Sequence, residues 1–474
     1  MRRFDAWQAV ICWSAESGKL ITKGQSVRPE EIFTEDEMNT MRESLAQFRT
    51  PGAYEKGKWM VSALNRSIGT AQGHFPAKVL LRDITLRTME QMPGVVLTQS
   101  ERQEFLRELV SSGVPEVIVS SFRRGHTLDE MQREVAVAKK AAPDCKLLYG
   151  NAVKDDEMKL AADAGYDIVQ VWLATYLGKA IPASAGAVYH RVWQGKDWHD
   201  LRFPNSAEEH IGRSRRLVNA GADRGVKVSV LLNLLVFATE DYVVKFCEAM
   251  RDEGAFEVVL TDSTGGCSPE AIGHLVRVAK SVSGNMRIGV HTHNMFGLAV
   301  ATSLAGARAG AEVVELSVNG YEMGPAGTQA SLAATAAAFE ALYGINTGID
   351  LGRMMHIAKL GEKLTRIPIP WCEPVLGSGV LEASGGDEYL QESKFDPLIH
   401  CALDEHLFGA TRVRKLGVST GPLGMWDKLK ELGLHVPKEQ VEPIRQACLK
   451  EMQQIRRSLT EDEIRQLAAR IIGS

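Results

Sequence analysis

The strongest chemical signal in the sequence is the run His291-Thr292-His293-Asn294, in which two imidazoles stand one residue apart. Residues two apart on a β-strand share a face, so both rings point the same way and can hold one divalent ion. The pair alone is as often structural as functional, but it ends a β-branched run that begins at Arg287. A second group, Asp83, Arg87, Glu90 and Gln91, follows another such run. An arginine there can clamp a carboxylate bidentately and stabilise an enolate oxygen as charge develops, with a fixed geometry that lysine lacks. The competing structural reading is a buried Arg–Asp brace that closes the fold. Two turns complete the candidates. Asp262 to Pro269 offers the Asp262 carboxylate and the Thr264 hydroxyl as orienting groups, and its Ser268 can cap a helix. Asn319 to Thr328 is glycine-rich and can bring backbone N–H groups to an anion.

These residues need elements that bring them together. Between Lys78 and Val318, short β-branched runs alternate with segments of helical period, the pattern of parallel strands joined by crossover helices. The runs are Val79–Ile84, Glu116–Ser121, Lys146–Asn151, Asp167–Leu173, Val226–Leu232, Glu257–Asp262, Arg287–His293 and Glu312–Val318. Eight is the closure number of a (β/α)8 TIM barrel, and each candidate site lies just after a strand, where barrel active sites are built. A doubly wound open sheet would carry a glycine-rich phosphate turn after an early strand, and none follows the first run. Helix signals agree: Thr98 opens a segment reaching Leu109, and Ser268-Pro269-Glu270 supplies a cap and a first-turn proline. The connection from Leu173 to Ser206 is unusually long and holds Tyr189, Trp193, Trp198 and Phe203, which suit an aromatic lid or subunit contact as well as an ordinary packed excursion. The expected organisation is an N-terminal extension over 1–77, the barrel over 78–348, and a C-terminal linker with helical subdomains over 349–474. Lys438–Arg456 and Thr460–Ile472 have the amphipathic spacing of packing elements.

Composition sets the outer limits. Hydrophobic residues make up 45% of the 474 and charged residues 24%, enough apolar material for a large core. Against 59 acidic residues stand 55 basic ones, so the net charge of -4 gives no footprint for nucleic acid. Seven cysteines without a CxxC pair fit free thiols in a reducing compartment. The longest apolar stretch, Val228 to Ala238, falls far short of the roughly 18 residues a membrane span needs. A soluble, cytoplasmic protein without a membrane partner is expected.

Taken in order, Arg82–Gly94 (RDITLRTMEQMPG), the DSTGGCSP turn, HTHN and the glycine-rich turn after the last strand resemble the metal-dependent aldolase-like barrels that include homocitrate synthase, isopropylmalate synthase and hydroxymethylglutaryl-CoA lyase. Pro370–Leu398, Gly417–Gly421 and Trp426–Gly433 resemble the post-barrel subdomains of the synthase branch, so the likeness covers roughly residues 78 to 474. It implies joining acetyl-CoA, as co-substrate, to a 2-oxo acid at a divalent metal (Mg, Mn or Zn). His291 and His293 stand at the family's two histidine ligands, Arg87 at the arginine that holds the oxo acid, and a homodimer is expected.

Several positions depart from that pattern. The family run DTTLRDGEQ has an acidic metal ligand directly after the arginine; here that position is Thr88. A hydroxyl is a weak ligand for a hard cation, so the metal is in question; Glu90, Asp83 and Glu322 are the carboxylates the sequence offers in its place. Asp387 stands where the SGxH element has its histidine, Val418 where GKHSG has its own, and GYEMGPAG has lost the arginine of GxGERxGN. The expected assignment is catalytic Arg87, Glu90 and Asp387, substrate-binding Arg87, Gln91, Thr264 and Asn319, and metal-binding His291 and His293. The expected activity is an aldol- or Claisen-type condensation. A related carbon–carbon lyase or hydrolase with altered or no metal dependence, and a non-catalytic homologue binding a small carboxylate, are the alternatives.

Overall fold

A computed structural model describes residues 34–67, 75–121, 127–175, 204, 206–322, 327–383 and 396–472. Eight parallel strands close a barrel: β1 (Leu80–Asp83), β2 (Glu116–Ser121), β3 (Lys146–Ala152), β4 (Ile168–Leu173), β5 (Lys227–Leu232), β6 (Glu257–Asp262), β7 (Arg287–Thr292) and β8 (Val313–Leu316). Each pairs with its neighbour in sequence, and β8 pairs back onto β1 with Leu316 opposite Asp83. Every one of the eight expected runs is a strand, trimmed by a few residues at most. The long connection with Tyr189, Trp193, Trp198 and Phe203 lies outside the described residues.

The helices start where local chemistry says they should. In α1 (Gln99–Val110), the Thr98 hydroxyl accepts from Glu101 N while the Glu101 carboxylate accepts from Thr98 N, a reciprocal capping box. Thr127 and Glu130 repeat the device at α2 (Leu128–Ala141). α3 (Asp155–Ala164), α4 (Ala207–Ala222) and α5 (Glu240–Asp252) follow, then α6 (Pro269–Val282), capped by Ser268 with Pro269 in its first turn. α7 (Ala299–Arg308) and α8 (Leu332–Tyr343) complete the ring, and α9 (Met354–Thr365) comes after it. Outward-facing strand residues such as Val117, Val119, Leu147 and Val258 pack beneath these helices in one continuous apolar core.

The inward-facing set is different. Ile84, Ile118, Leu148 and Ile168 form a separate small apolar cluster, and beside it lies a buried charged layer. Arg82 on β1 donates to Glu116 on β2, to both oxygens of Glu257 on β6 (2.7 and 3.0 Å) and to Glu315 on β8 (3.0 Å). Arg287, at the start of β7, binds Glu116 and Glu257 as well. Gln170 also donates to Glu315 and Ser229 to Glu257, each adding a second bond to an oxygen that Arg82 already holds. Three buried carboxylates against two guanidinium groups are tolerable only because each is hydrogen-bonded several times.

The chain divides into two compact units. The barrel unit comprises Arg49–Leu381 and Cys401–Arg412, including a hairpin of Tyr54–Glu55 and Trp59–Met60 ahead of β1. The other comprises Met1–Phe48, Glu382–His400 and Val413–Ser474. Its described part has its own apolar core, in which Met425, Leu429, Ile444, Cys448, Ile464 and Ala468 bring together helices Pro422–Glu431, Lys438–Ile455 and Glu461–Ile472. The last two match the amphipathic segments expected from the sequence.

Candidate metal and substrate site at the barrel mouth

β7 carries His291 at its inward-facing end, paired in register with Glu315 on β8 and Thr261 on β6. The His291 Nδ1 lies 2.7 Å from the Glu315 Oε2. Burial alone would push the Glu315 carboxyl up, but the hydrogen bond and charge of His291 and the charges of Arg82 and Arg87 outweigh it and bring it down to about 2. Glu315 is therefore an anion that accepts the Nδ1 proton, which fixes the tautomer and turns the Nε2 lone pair toward the mouth. There the Nε2 of His293 lies 3.1 Å away. His293 sits one residue past the strand and is placed by a bridge to Gln329 and by its N–H donating to Asp262 O.

Gln329 and Glu322 close the arrangement from the segment after β8. The Gln329 amide nitrogen is 2.7 Å from His291 Nε2 and 3.5 Å from Glu322 Oε2. Glu322 Oε2 is 4.0 Å from His293 Nε2, and one ligand atom from each of His291, His293 and Glu322 falls within 4.8 Å of the others. The side chains of these three are only 3, 8 and 4% exposed.

Arg87 comes to the same place from the short helix Thr85–Met89 after β1. Its Nη1 donates to Asn151 Oδ1 at 3.2 Å, and its Nη2 is 3.6 Å from Glu322 Oε2. A Cβ on Gly150 would lie 2.8 Å from Ile118 and in van der Waals contact with the Arg87 stem at 3.4 Å, so glycine keeps β3 close beneath both side chains. Asp83 anchors the helix: its oxygens accept from Thr85 N (2.8 Å) and Thr85 Oγ1 (2.7 Å), and Thr85 Oγ1 accepts from Val318 N across the β1–β8 seam. Burial pushes the Asp83 carboxyl up to about 7, against the lowering effect of both Thr85 bonds. The expected alternative of an Arg–Asp brace thus takes another form, with Asp83 bracing through Thr85 and Arg82 bracing the buried core.

The other sequence candidates are dispersed. Glu90, at the end of the Arg87 helix, is bound by Arg102 of α1, which also holds Glu134 of α2 (2.7 Å) and Val119 O (2.6 Å), so Glu90 ties the short helix to α1 rather than joining the histidine group. Gln91 is half-buried in the following turn, its N–H on Thr88 O. Thr264 donates to Asp262 Oδ1 at 3.4 Å in a turn whose carboxylate also accepts from Gly266 N and Cys267 N. Asn319 is buried at φ 54, and its amide nitrogen is spent on Ala358 O of α9 and on Tyr321 Oη. Asp387 lies outside the described residues. Glu315 and Gln329 were not singled out from the sequence. The available sign was polarity in the wrong place: a glutamate inside Val313–Leu316 and an arginine inside Leu80–Asp83, runs otherwise suited to a buried strand.

The donor set fits a divalent ion. Two nitrogens each about 2.1 Å from one ion at a right angle are about 3 Å apart, the separation of the two Nε2 atoms. The Gln329 Oε1 is buried and accepts no hydrogen bond among the described residues, an oxygen with a lone pair to give. Imidazole and carboxylate together suit Mg, Mn or Zn.

A barrel with convergent histidine, carboxylate and arginine side chains at the C-terminal ends of its strands has the layout of a (β/α)8 enzyme. The family model described as HMGL-like matches residues 78–360, and the chain belongs to that family. It is 30% identical over 372 residues to a Methanopyrus kandleri protein named a probable 2-isopropylmalate synthase, which covers 78% of this chain and 69% of the relative. To the homocitrate synthase of Methanothermobacter thermautotrophicus it is 26% identical over 389 residues, 81% of this chain and 91% of that one. The solved HMG-CoA lyase of Bacillus subtilis has a TM-score of 0.51 at 16% identity, covering 62% of this chain and 96% of the lyase, a likeness of fold. The four motifs in order thus carried the family and its enzymatic nature. Among the described residues no helix is long and apolar enough to cross a membrane.

Proposed function

We propose that the chain is an acyltransferase that condenses an acyl-CoA, with acetyl-CoA as the expected co-substrate, with a 2-oxo acid. The observation that carries this is the convergence of His291, His293 and Glu322 beside Arg87 at the barrel mouth, in a chain related to condensing synthases. The new bond joins the α-carbon of the acyl thioester to the carbonyl carbon of the oxo acid, and thioester hydrolysis then frees the CoA thiol. Arg87, held by Asn151 and Glu322, binds the oxo acid's carboxylate. Glu315 keeps His291 in the tautomer that offers Nε2, and Asp83 holds the turn that aims Arg87. A divalent ion bound at His291 and His293 would supply Lewis acidity to the oxo acid's carbonyl. From the sequence candidates, Gln91 and Thr264 are carried forward for substrate contact and Asp387 for proton transfer, and the proposed assembly is a homodimer.

The test is release of free thiol from acetyl-CoA by the purified protein across a panel of 2-oxo acids with Mg, Mn or Zn added. Thiol release that depends on one oxo acid supports the proposal; none across the panel, from protein that also retains no stoichiometric metal, overturns it. The second reading, a non-catalytic carboxylate binder, is favoured by one observation: the Thr88 hydroxyl is turned to the backbone at Ile84 O and Thr85 O. It requires saturable oxo-acid binding without thiol release.

A further inference from the structure

The residue after Arg87 is fully buried, and its hydroxyl lies 3.3 Å from both Ile84 O and Thr85 O of its own helix. Thr88 is therefore committed to the helix backbone. No anion comes to the histidines from that helix: Asp83 is engaged with Thr85, and Glu90 with Arg102. Besides Glu315, which takes the Nδ1 of His291, the carboxylate that reaches their Nε2 atoms arrives from the opposite side of the β1–β8 seam. After β8 the chain takes two successive left-handed residues, Asn319 at φ 54 and Gly320 at φ 65, and so bends back over the mouth. A Cβ on Gly320 would lie 3.1 Å from Gln329 O, and Gly320 O accepts from Gln329 N at 2.9 Å, so the bend also seats Gln329 next to the segment it closes. Tyr321 is pinned by its hydroxyl against Asn319 and Thr365. The outcome is a buried Glu322 with Oε2 3.5 Å from the Gln329 amide, 4.0 Å from His293 Nε2 and 3.6 Å from Arg87 Nη2.

We propose that Glu322 is the anionic ligand of the divalent-metal site, so that the ion is held from β7 and the turn after β8 and takes nothing from β1. The proposal rests on the metal-assisted reading given above and assigns its missing charge. A carboxylate is what the site needs: two neutral imidazoles leave a hard dication without an anionic oxygen, the kind of ligand Mg and Mn prefer. Glu322 has a second task in the same position. As the counter-ion of Arg87 it links the metal and the carboxylate-binding guanidinium, and engagement with the ion weakens its hold on Arg87. The arginine is then available to an incoming carboxylate.

The test is Mn titration of the full chain, followed by the electron paramagnetic resonance of free Mn and by calorimetry, with no substrate present. Wild type should bind one ion per chain. Glu322→Gln, near in shape and neutral, should weaken binding by about 100-fold or more, at or beyond the upper end of what loss of an outer-shell partner costs. Glu322→Asp, which keeps the charge but shortens the reach, should fall between the two. Thr88→Val removes the hydroxyl without changing the shape and should leave affinity within about 2-fold. Near-UV circular dichroism of each variant separates a lost ligand from a lost fold. Wild-type affinity in a folded Glu322→Gln overturns the assignment while leaving the metal-assisted reading standing, as does loss of binding in a folded Thr88→Val. Absence of a bound ion in wild type overturns both.

Discussion

Replacing Arg82 by methionine should expose how the barrel's interior is held. The guanidinium is completely buried and donates to Glu116, Glu257 and Glu315 at once. Methionine fills a similar volume but leaves three carboxylates facing Arg287 alone, and of these Arg287 reaches only Glu116 and Glu257. Two routes give the magnitude. Removing one partner of a buried ion pair costs about 3–5 kcal/mol. Independently, burial would push the Glu116 carboxyl up, yet Arg82 and Arg287 bring it from 4.5 to about 2, which corresponds to about 3 kcal/mol. A loss of about 3–5 kcal/mol is a large part of the ~5–15 kcal/mol a native domain holds. The sign of the pH dependence sharpens the test. In wild type the depressed Glu116 and Glu315 contribute stability that is fully present above about 4.5 and is lost as pH falls toward 2. In the variant Glu116 loses the largest of its lowering charges, so burial pushes its carboxyl up and it destabilises when ionised and recovers on protonation, while Glu315 keeps His291. The deficit should therefore shrink between pH 7.5 and pH 5, a range in which the wild-type contribution of these groups is constant. Chemical denaturation followed by circular dichroism at both pH values reads the difference. A deficit below 1 kcal/mol at pH 7.5, or one that widens on acidification, would refute the reasoning.

Other perturbations separate the parts of the molecule. Arg87→Lys keeps the charge but loses the planar fork, and kcat/KM for the oxo acid should fall about 10–100-fold in thiol-release assays, with acyl-CoA KM little changed. His210, stacked on Phe246 with Nδ1 2.6 Å from Tyr242 Oη, is pushed by burial, and secondarily by Arg213, from 6.5 to about 4. Stability should accordingly fall as pH drops from 6.5 toward 4, by up to about 3 kcal/mol, and thermal melts of His210→Phe should lack that component. Gly113 sits at φ 85 with Gly348 O only 2.4 Å from where a Cβ would stand, so Gly113→Ala should lower the melting temperature by several degrees, whereas Gly57→Ala, also at positive φ but with open space around it, should cost only the backbone strain of about 1 kcal/mol.

The fold was legible because its signals are local. A strand such as Glu116–Ser121 is a β-branched run that follows Pro115, and α1 announces itself through Thr98 and Glu101, three residues apart. Half of the site was legible for the same reason: His291 and His293 share one strand end, and Arg87 follows another. The remainder depends on distance along the chain. Gln329 meets His291 across 38 residues, and Arg82 meets Glu315 across 233, through a register that only barrel closure sets. Glu90 shows the converse error of proximity. It is three residues from Arg87, yet it stands at the end of the short helix and binds Arg102 twelve residues on. Glu322 could be named from the sequence as one of three carboxylates, but choosing it required the left-handed turn at Asn319 and Gly320.

The charged layer and the site are one electrostatic system. From Arg287 through Glu257 and Arg82 to Glu315 and His291, every step is a hydrogen-bonded contact, buried from Glu257 onward, and the chain of contacts continues through Gln329 to Glu322 and Arg87. Two arginines against three glutamates leave this interior one negative charge in excess, placed by geometry on the carboxylate that grips His291. A dication at the imidazole is a charge that balances it. The polar core of the barrel therefore does more than close the cylinder: it makes the C-terminal mouth a place where positive charge is stabilised before any ligand contributes. The substitution of Thr88 removes one anion from the rim without removing that bias, because the bias originates in Glu315 and the strands beneath it.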